Sequence, residues 1–165
     1  MPSVYLTGCS GQGKTTNSKL LQEELFYPIS DGIARSSPHK MGTRENQEWI
    51  SRQVYHNCMS AFQKIHCRTP LCVAGYSAAF NIDCPIDEQH IQMFAKANPI
   101  VIYHPFVIPI VDDNFRPVNV ELNQKVDDVI REKMDQYDIS FYTLSDGSPE
   151  ERLQEIMKYL ERFDL

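Results

Sequence analysis

The chain has 165 residues, of which 42% are hydrophobic and 23% charged, with a formal net charge of −6. This size and composition predict one soluble globular domain, residues 1–165. The acidic balance argues against a dedicated nucleic-acid binder. No apolar run approaches the roughly 18 residues that a membrane span needs, and no secretory or transit segment is expected before the first strand. The five cysteines include no CxxC pair, which is typical of a reducing compartment, so we expect a cytoplasmic protein.

The first predicted strand, Ser3–Gly8, leads into a glycine-rich loop that fits GxxxxGK[ST] from Gly8 to Thr15. A helix, Gly13–Leu25, is predicted to follow, and this strand–loop–helix order is typical of a phosphate loop. Glycines allow successive backbone N–H groups to point at phosphate oxygens, and the helix N-terminus adds partial positive charge. We expect Lys14 to reach the β- and γ-phosphates of a nucleoside triphosphate and the Thr15 hydroxyl to bind Mg²⁺. The residues expected to bind the nucleotide are Gly8, Cys9, Ser10, Gly11, Gln12, Gly13, Lys14, Thr15 and Thr16.

The second predicted strand, Phe26–Ser30, is followed by Asp31, Gly32 and, shortly afterwards, Arg35. Ligands bind at the carboxyl ends of the strands in parallel sheets. A carboxylate at this edge can accept a proton from an attacking hydroxyl, and an arginine can hold an anionic group. The alternative is structural, with Asp31-Gly32 as a turn and Arg35 as a solvated helix residue.

The remaining chain alternates strands and helices, which predicts βαβ units. The predicted fold class is therefore α/β, a three-layer arrangement of a five-stranded parallel sheet with helices on both faces. Residues 106–120 are irregular and proline-bearing, which favours a mobile lid. The last helix begins with a capping box formed by Ser148 and Glu151. Further predicted strands are Lys64–Cys67, Pro99–His104 and Ile139–Leu144, and further predicted helices are Thr43–Phe62, Pro70–Phe80, Asp87–Ala97, Glu121–Tyr137 and Pro149–Phe163.

The run after the third strand, Cys67-Arg68-Thr69-Pro70-Leu71-Cys72, resembles the small P-loop kinases of the thymidylate kinase, deoxynucleoside kinase and nicotinamide-riboside kinase type, including phage-encoded members. Those enzymes carry DR[SY] or ER[SY] here. Arg68 and Thr69 match, whereas Cys67 stands at the acidic position and Cys72 at the second acid of the longer DRSxxD form. A neutral thiol cannot replace a carboxylate as a ligand of a hard metal ion. A third strand at Leu71–Gly75 is an alternative, and it would remove the Arg68 match.

The acidic residue after the second strand of deoxynucleoside kinases corresponds to Asp31, which is therefore the expected base, with Asp83 as the second candidate. The run Val111–Pro117 resembles the lid of nicotinamide-riboside-type kinases, with Asn114 where glycine is usual. The resemblance makes Arg116 the lid arginine that neutralises charge on the transferring phosphoryl group. The alternative is an exposed arginine paired with a neighbouring aspartate. Residues 145–148 correspond to backbone that contacts adenine, or form only a turn and a helix cap.

The resemblance implies an ATP-dependent kinase that uses Mg²⁺ and phosphorylates a nucleoside, a nucleotide or a related small molecule. No guanine-reading NKxD-like motif ends a late strand, which argues against a GTPase. One alternative is a phage kinase that acts on a hydroxymethylated pyrimidine in DNA, in the host cytoplasm. Another is a nucleotide-binding protein without kinase activity, which the cysteines at both acidic positions favour. A homodimer is also possible. The expected catalytic residues are Lys14, Asp31, Arg35, Arg68 and Arg116.

Overall fold

The computed structural model describes residues 2–60, 62–107, 109 and 119–165. Its strands form a five-stranded sheet in the order β2-β3-β1-β4-β5, and every neighbouring pair is parallel. The strands are β1 (Val4–Thr7), β2 (Ile29–Ser30), β3 (Ile65–His66), β4 (Ile100–Tyr103) and β5 (Phe141–Thr143). The helices are α1 (Lys14–Leu25), α2 (Arg44–Cys58), α3 (Pro70–Ala79), α4 (Pro85–Lys96), α5 (Val120–Gln136) and α6 (Pro149–Leu160), with short 3₁₀ helices at Ile33–Ser36 and Glu161–Phe163.

The predicted fold class is confirmed: the chain is α/β, with a five-stranded parallel sheet and helices on both faces. Side chains of successive strand residues point to opposite faces. Val4 and Leu6 of β1 therefore belong to the core cluster shared with α1 and α6, while Tyr5 packs against the cluster built by α2, α3, α4 and α5. The two apolar clusters lie on the two sides of the sheet, which gives the three predicted layers.

The alternative position of the third strand, Leu71–Gly75, is wrong, because these residues lie inside helix α3. Thr69 caps that helix by accepting a hydrogen bond from the Cys72 N–H, and Pro70 occupies its first turn. The helix is buried along most of its length. A helix that is buried on all sides has no polar face, so its sequence reads like a buried strand.

Helix α3 packs closely on α5 because Gly75 lacks a side chain. A Cβ built at Gly75 would lie 2.9 Å from Cγ1 of Val126, which is too close for a real contact. The absence of the side chain thus allows the two backbones to approach. Within the described part of the chain, the helices are all too short or too polar to cross a bilayer.

The carboxyl ends of the parallel strands meet at one edge of the sheet. Three segments leave the sheet there: the glycine-rich loop after β1, the 3₁₀ helix after β2, and the start of α3 after β3. This edge is where open parallel sheets bind ligands. The candidate site residues that follow the first three strands are therefore brought together at this edge of the sheet.

Candidate active site

The glycine-rich loop has a backbone that side chains would not tolerate. Gly8, Gly11 and Gly13 have φ angles of 142°, 78° and 84°, values that L side chains rarely adopt. At Gly8 a Cβ would also collide with the carbonyl oxygen of His104. The loop thus wraps into the concave form of a phosphate-binding loop and ends in helix α1, which begins at Lys14.

The Lys14 ammonium folds back over the loop. Its Nζ donates hydrogen bonds to the carbonyl oxygens of Gly8, at 2.8 Å, and of Cys9. Burial lowers the pKa of Lys14, although the nearby thiols of Cys72 and Cys9 act in the opposite direction. The Lys14 ammonium therefore contacts neutral carbonyl groups at the loop, where a bound phosphate group would supply a negative charge beside it.

A hydrogen bond joins the loop to the end of β2. Thr15 Oγ1 donates to Asp31 Oδ2 at 3.1 Å, and the other carboxylate oxygen accepts from the Gly32 N–H at 2.7 Å. Asp31 is exposed to solvent. The structure thus brings the two sequence-predicted residues, a hydroxyl and a carboxylate, into direct contact at the mouth of the loop.

A cavity of about 830 Å³ opens beside this pair. Asp31 is the only carboxylate among the described residues that line it. Cys9 and Gln12 are fully buried and do not line the cavity. The expected lid arginine, Arg116, lies outside the described residues. The predicted site residues that line the cavity are Gly8, Ser10, Gly11, Gly13, Lys14, Thr15, Thr16, Asp31, Arg35 and Arg68.

The two cysteines at the expected acidic positions occupy different environments. Cys67 lines the cavity, and burial raises the pKa of its thiol to about 11, so it is protonated at neutral pH. Cys72 also lines the cavity, but it lies under the loop, where its Sγ is 3.2 Å from Thr7 Oγ1 and 3.5 Å from the Gly8 carbonyl oxygen. Burial acts to raise the pKa of Cys72, but Lys14 and hydrogen bonds from Thr69 and Thr7 outweigh it and leave the pKa lowered. Cys67 is therefore no substitute for a carboxylate base.

Two amide side chains that the sequence analysis missed, Asn46 and Gln47, line the cavity from α2. Both are only 3% exposed, and within the described residues the Gln47 amide makes no hydrogen bond. A signal was present in the sequence: Gln47 precedes Ile50 and Val54 at helical spacing, so it is a polar residue on the buried face of the helix. Polar groups rarely stay buried without a partner, so Gln47 is a candidate ligand contact.

Tyr76 is a third residue that the sequence analysis did not assign to the site. Tyr76 belongs to α3, and the guanidinium carbon of Arg68 lies 6.0 Å from the centroid of its ring. Its hydroxyl contacts both the N–H and the hydroxyl of Ser10 in the glycine-rich loop. Nothing in the local sequence indicates this contact, because it joins residues 66 positions apart.

The predicted capping box at the start of α6 is present, with Ser148 and Glu151 bonded reciprocally. This cap needs no ligand, and a role of residues 145–148 in binding adenine stays a prediction. Within the described segments, no group of three or more His, Cys, Asp or Glu side chains could hold a metal ion. A metal at this site would therefore depend on Thr15 and on oxygens that a ligand supplies.

A family model described as an AAA domain matches residues 3–152. A search of curated protein sequences gives no significant match. Deoxyadenosine kinase from M. mycoides with bound dCMP and dCDP is similar in structure, with a TM-score of 0.72, 17% identity, and coverage of 98% of this chain and 99% of that chain. Thymidylate kinase from Ehrlichia chaffeensis has a TM-score of 0.62 and 18% identity, over 96% of this chain and 98% of that chain.

A NadR protein in complex with NR has a TM-score of 0.72 and 16% identity, and the match covers 97% of this chain but 51% of NadR. At these identities the likeness concerns the fold. The chain has the fold of the small P-loop kinases, and the resemblance inferred from its motifs is confirmed at that level.

Proposed function

The chain belongs to the AAA domain family, and from this premise we propose that it is a P-loop kinase. It transfers the γ-phosphoryl group of ATP to a nucleoside, a nucleotide or a related small molecule. The observation that supports this most is the hydrogen bond between Thr15 and Asp31. It places a carboxylate beside the phosphate loop, in a cavity that the loop shares with Arg35 and Arg68.

The donor half of the proposed site is the glycine-rich loop. Its N–H groups and the N-terminus of α1 attract phosphate oxygens. Lys14, which now donates to two loop carbonyls, would exchange them for phosphate oxygens. The Thr15 hydroxyl is a hard oxygen donor of the kind that Mg²⁺ accepts. When bound, Mg²⁺ would neutralise charge on the phosphates.

The acceptor half is the part of the cavity beyond Asp31. Asp31 would accept the proton of an attacking hydroxyl. Arg35 and Arg68 would stabilise the negative charge of the transferring phosphoryl group. The buried amides of Asn46 and Gln47 offer both donors and acceptors, which fits the polar edge of a nucleobase. Arg116 remains our proposal for the residue that closes the site.

ATP consumption tests this proposal in a coupled assay with a panel of nucleosides, nucleoside monophosphates and hydroxymethylated DNA. We expect turnover with at least one free nucleoside or nucleotide. Transfer to hydroxymethylated DNA alone would instead select a kinase that acts on DNA. ATP binding without transfer to any acceptor would contradict the proposal and identify a nucleotide-binding protein without kinase activity.

Asp31→Asn is the matched variant, with Asp83→Asn as the control. Asp83 is also exposed and lies outside the cavity lining. We expect Asp31→Asn to lose turnover and Asp83→Asn to keep it. Equal loss in both variants would mean that the effect is not specific to the cavity.

A further inference from the structure

We infer that Arg152 is a positioning residue for the phosphates of the donor nucleotide. It holds the peptide between Gln12 and Gly13 so that the Gly13 N–H faces the phosphate-binding side of the loop. The inference rests on the donor-binding half of the proposed function, and it needs no particular acceptor.

Arg152 lies in the first turn of α6 and reaches the back of the glycine-rich loop. It is 1% exposed. Its Nη1 donates to the Gln12 carbonyl oxygen at 3.0 Å, and its Nε donates to the Ser145 carbonyl oxygen at 3.1 Å. Its Nη2 is buried and has no hydrogen-bond partner among the described residues.

No carboxylate forms a salt bridge with Arg152 in the described part of the chain, although the Glu155 carboxylate lies near enough to interact with its charge. Its two acceptors are neutral carbonyl groups, and the N-terminal turn of a helix disfavours a cation. The neighbouring Glu151 carboxylate accepts from the Ser148 N–H instead. Burial of a guanidinium that has no salt-bridge partner carries a large desolvation cost. An anion bound to the loop would offset part of it.

A second cation, the half-buried Lys14, also lies at the glycine-rich loop. Together with burial, Lys14 and Arg152 lower the pKa of His104 to about 3, so this histidine is neutral at physiological pH. Two cations and a neutral histidine thus surround the base of the loop. Such an arrangement favours a polyanion over a neutral ligand.

The bond to Gln12 has a direct geometric consequence. A trans peptide directs its carbonyl oxygen and its N–H to opposite sides. Gln12 is fully buried, whereas Gly13 lines the cavity. A donor that holds the Gln12 carbonyl from behind therefore turns the Gly13 N–H towards the cavity.

The loop needs such a restraint because glycines stand on both sides of this residue. Gly11 and Gly13 both have left-handed backbones, with φ of 78° and 84°, and glycine crosses between conformations readily. The Gln12 side chain is tethered as well, since its Oε1 accepts from the Val107 N–H at 2.9 Å. Arg152 contacts the peptide itself, through the Gln12 carbonyl oxygen.

The experiment measures the dissociation constants of Mg·ATP and of inorganic tripolyphosphate by calorimetry. The variants are Arg152→Met and Arg152→Lys. The first removes the N–H donors, and the second keeps the charge but cannot reproduce the separate hydrogen bonds from Nε and Nη1. Arg162→Met is the control, since Arg162 is exposed and lies 5.5 Å from the Tyr159 ring centroid. Circular dichroism confirms that each variant is folded.

We expect Arg152→Met to weaken both ligands by about tenfold or more, as loss of hydrogen bonds from a charged group predicts. Arg152→Lys should recover part of the affinity, and Arg162→Met should match the unmodified protein. In turnover assays the KM for ATP should rise more than kcat falls. A merely structural role would lower the unfolding temperature without this division between KM and kcat.

Equal dissociation constants for the unmodified protein and folded Arg152→Met would overturn the inference. If Arg152→Met does not fold, Arg152→Lys decides, because affinity equal to that of the unmodified protein would overturn the inference too. Failure of the kinase proposal would give a different result from failure of this inference. ATP binding would still depend on Arg152, but no phosphoryl group would be transferred to any acceptor.

Discussion

Tyr76 and Ser10 form a two-point contact between helix α3 and the glycine-rich loop. The Tyr76 Oη accepts from the Ser10 N–H at 2.9 Å and lies 2.6 Å from Ser10 Oγ, to which it donates. Burial raises the pKa of Tyr76, so the hydroxyl keeps its proton at neutral pH. Because Tyr76 also lines the cavity, this contact joins the donor loop to the proposed acceptor wall.

Tyr76→Phe removes both hydrogen bonds and keeps the ring. We expect kcat/KM to fall by about tenfold and the free energy of unfolding by about 1–2 kcal/mol, since the partly buried N–H and hydroxyl of Ser10 lose their partner. Tyr159→Phe is the control, because Tyr159 contacts the distant aromatic rings of Tyr142 and Phe163. Steady-state kinetics and urea unfolding measure both effects. Unchanged kinetics in Tyr76→Phe would mean that the contact does not organise the loop.

Gln47→Leu tests whether the buried amide contacts the acceptor. The side chain is 3% exposed and has no hydrogen bond within the described residues. Its replacement by an apolar group should therefore leave stability unchanged or raise it slightly. The KM for the acceptor should rise by about tenfold while the KM for ATP stays constant, because only the acceptor would lose a partner. Gln53→Leu, at an exposed position of the same helix, should change neither KM.

The outcome that would contradict this role of Gln47 is a fall in stability with an unchanged acceptor KM. The amide would then serve the fold rather than the ligand. Thermal unfolding and kinetics on the same preparations separate the two cases.

Cys67→Ser tests whether the thiol takes part in the chemistry. Burial raises the pKa of this thiol to about 11, so the reactive thiolate is scarce at neutral pH. We expect kcat to stay within about threefold of the unmodified protein, because a group that is not the base contributes little to proton transfer. A loss comparable to that of Asp31→Asn would show that the thiol acts in the reaction.

Because His104 is buried with a lowered pKa, we expect the protein to lose stability in mild acid. Burial, Lys14 and Arg152 lower its pKa to about 3, whereas the unfolded chain has a histidine pKa of about 6.5. The unfolded state therefore binds more protons between these values, and the free energy of unfolding falls as the pH falls from about 6.5 towards 3. His66, whose pKa burial lowers to about 4, contributes in the same direction.

Urea unfolding at pH 7.5 and pH 5 measures this dependence. His104→Asn should reduce the difference in stability between the two pH values by about 1–2 kcal/mol. His39→Asn is the control at an exposed position. An identical pH dependence in His104→Asn and the unmodified protein would contradict the buried neutral histidine.

The sequence predicted the parts of the fold and site that depend on local patterns. The glycines from Gly8 to Gly13 identify the loop, the alternation of strands and helices identifies the sheet, and the position of Asp31 after β2 places it at the loop. Contacts between distant segments were not predictable, because Tyr76 and Arg152 reach the loop only through packing. The sequence of helix α3 could also be read as a strand at Leu71–Gly75, because a helix that is buried on all sides has no polar face.

Transfer of the labelled γ-phosphoryl group of ATP to a nucleoside or nucleotide tests the central claim most directly. The proposal predicts labelled acceptor with the unmodified protein. It also predicts at least a hundredfold less label with Asp31→Asn that still binds Mg·ATP, which is the size of effect that loss of a general base produces, about 10²–10⁴. Two results would contradict it: no labelled acceptor from unmodified protein that binds Mg·ATP, or equal labelling by Asp31→Asn.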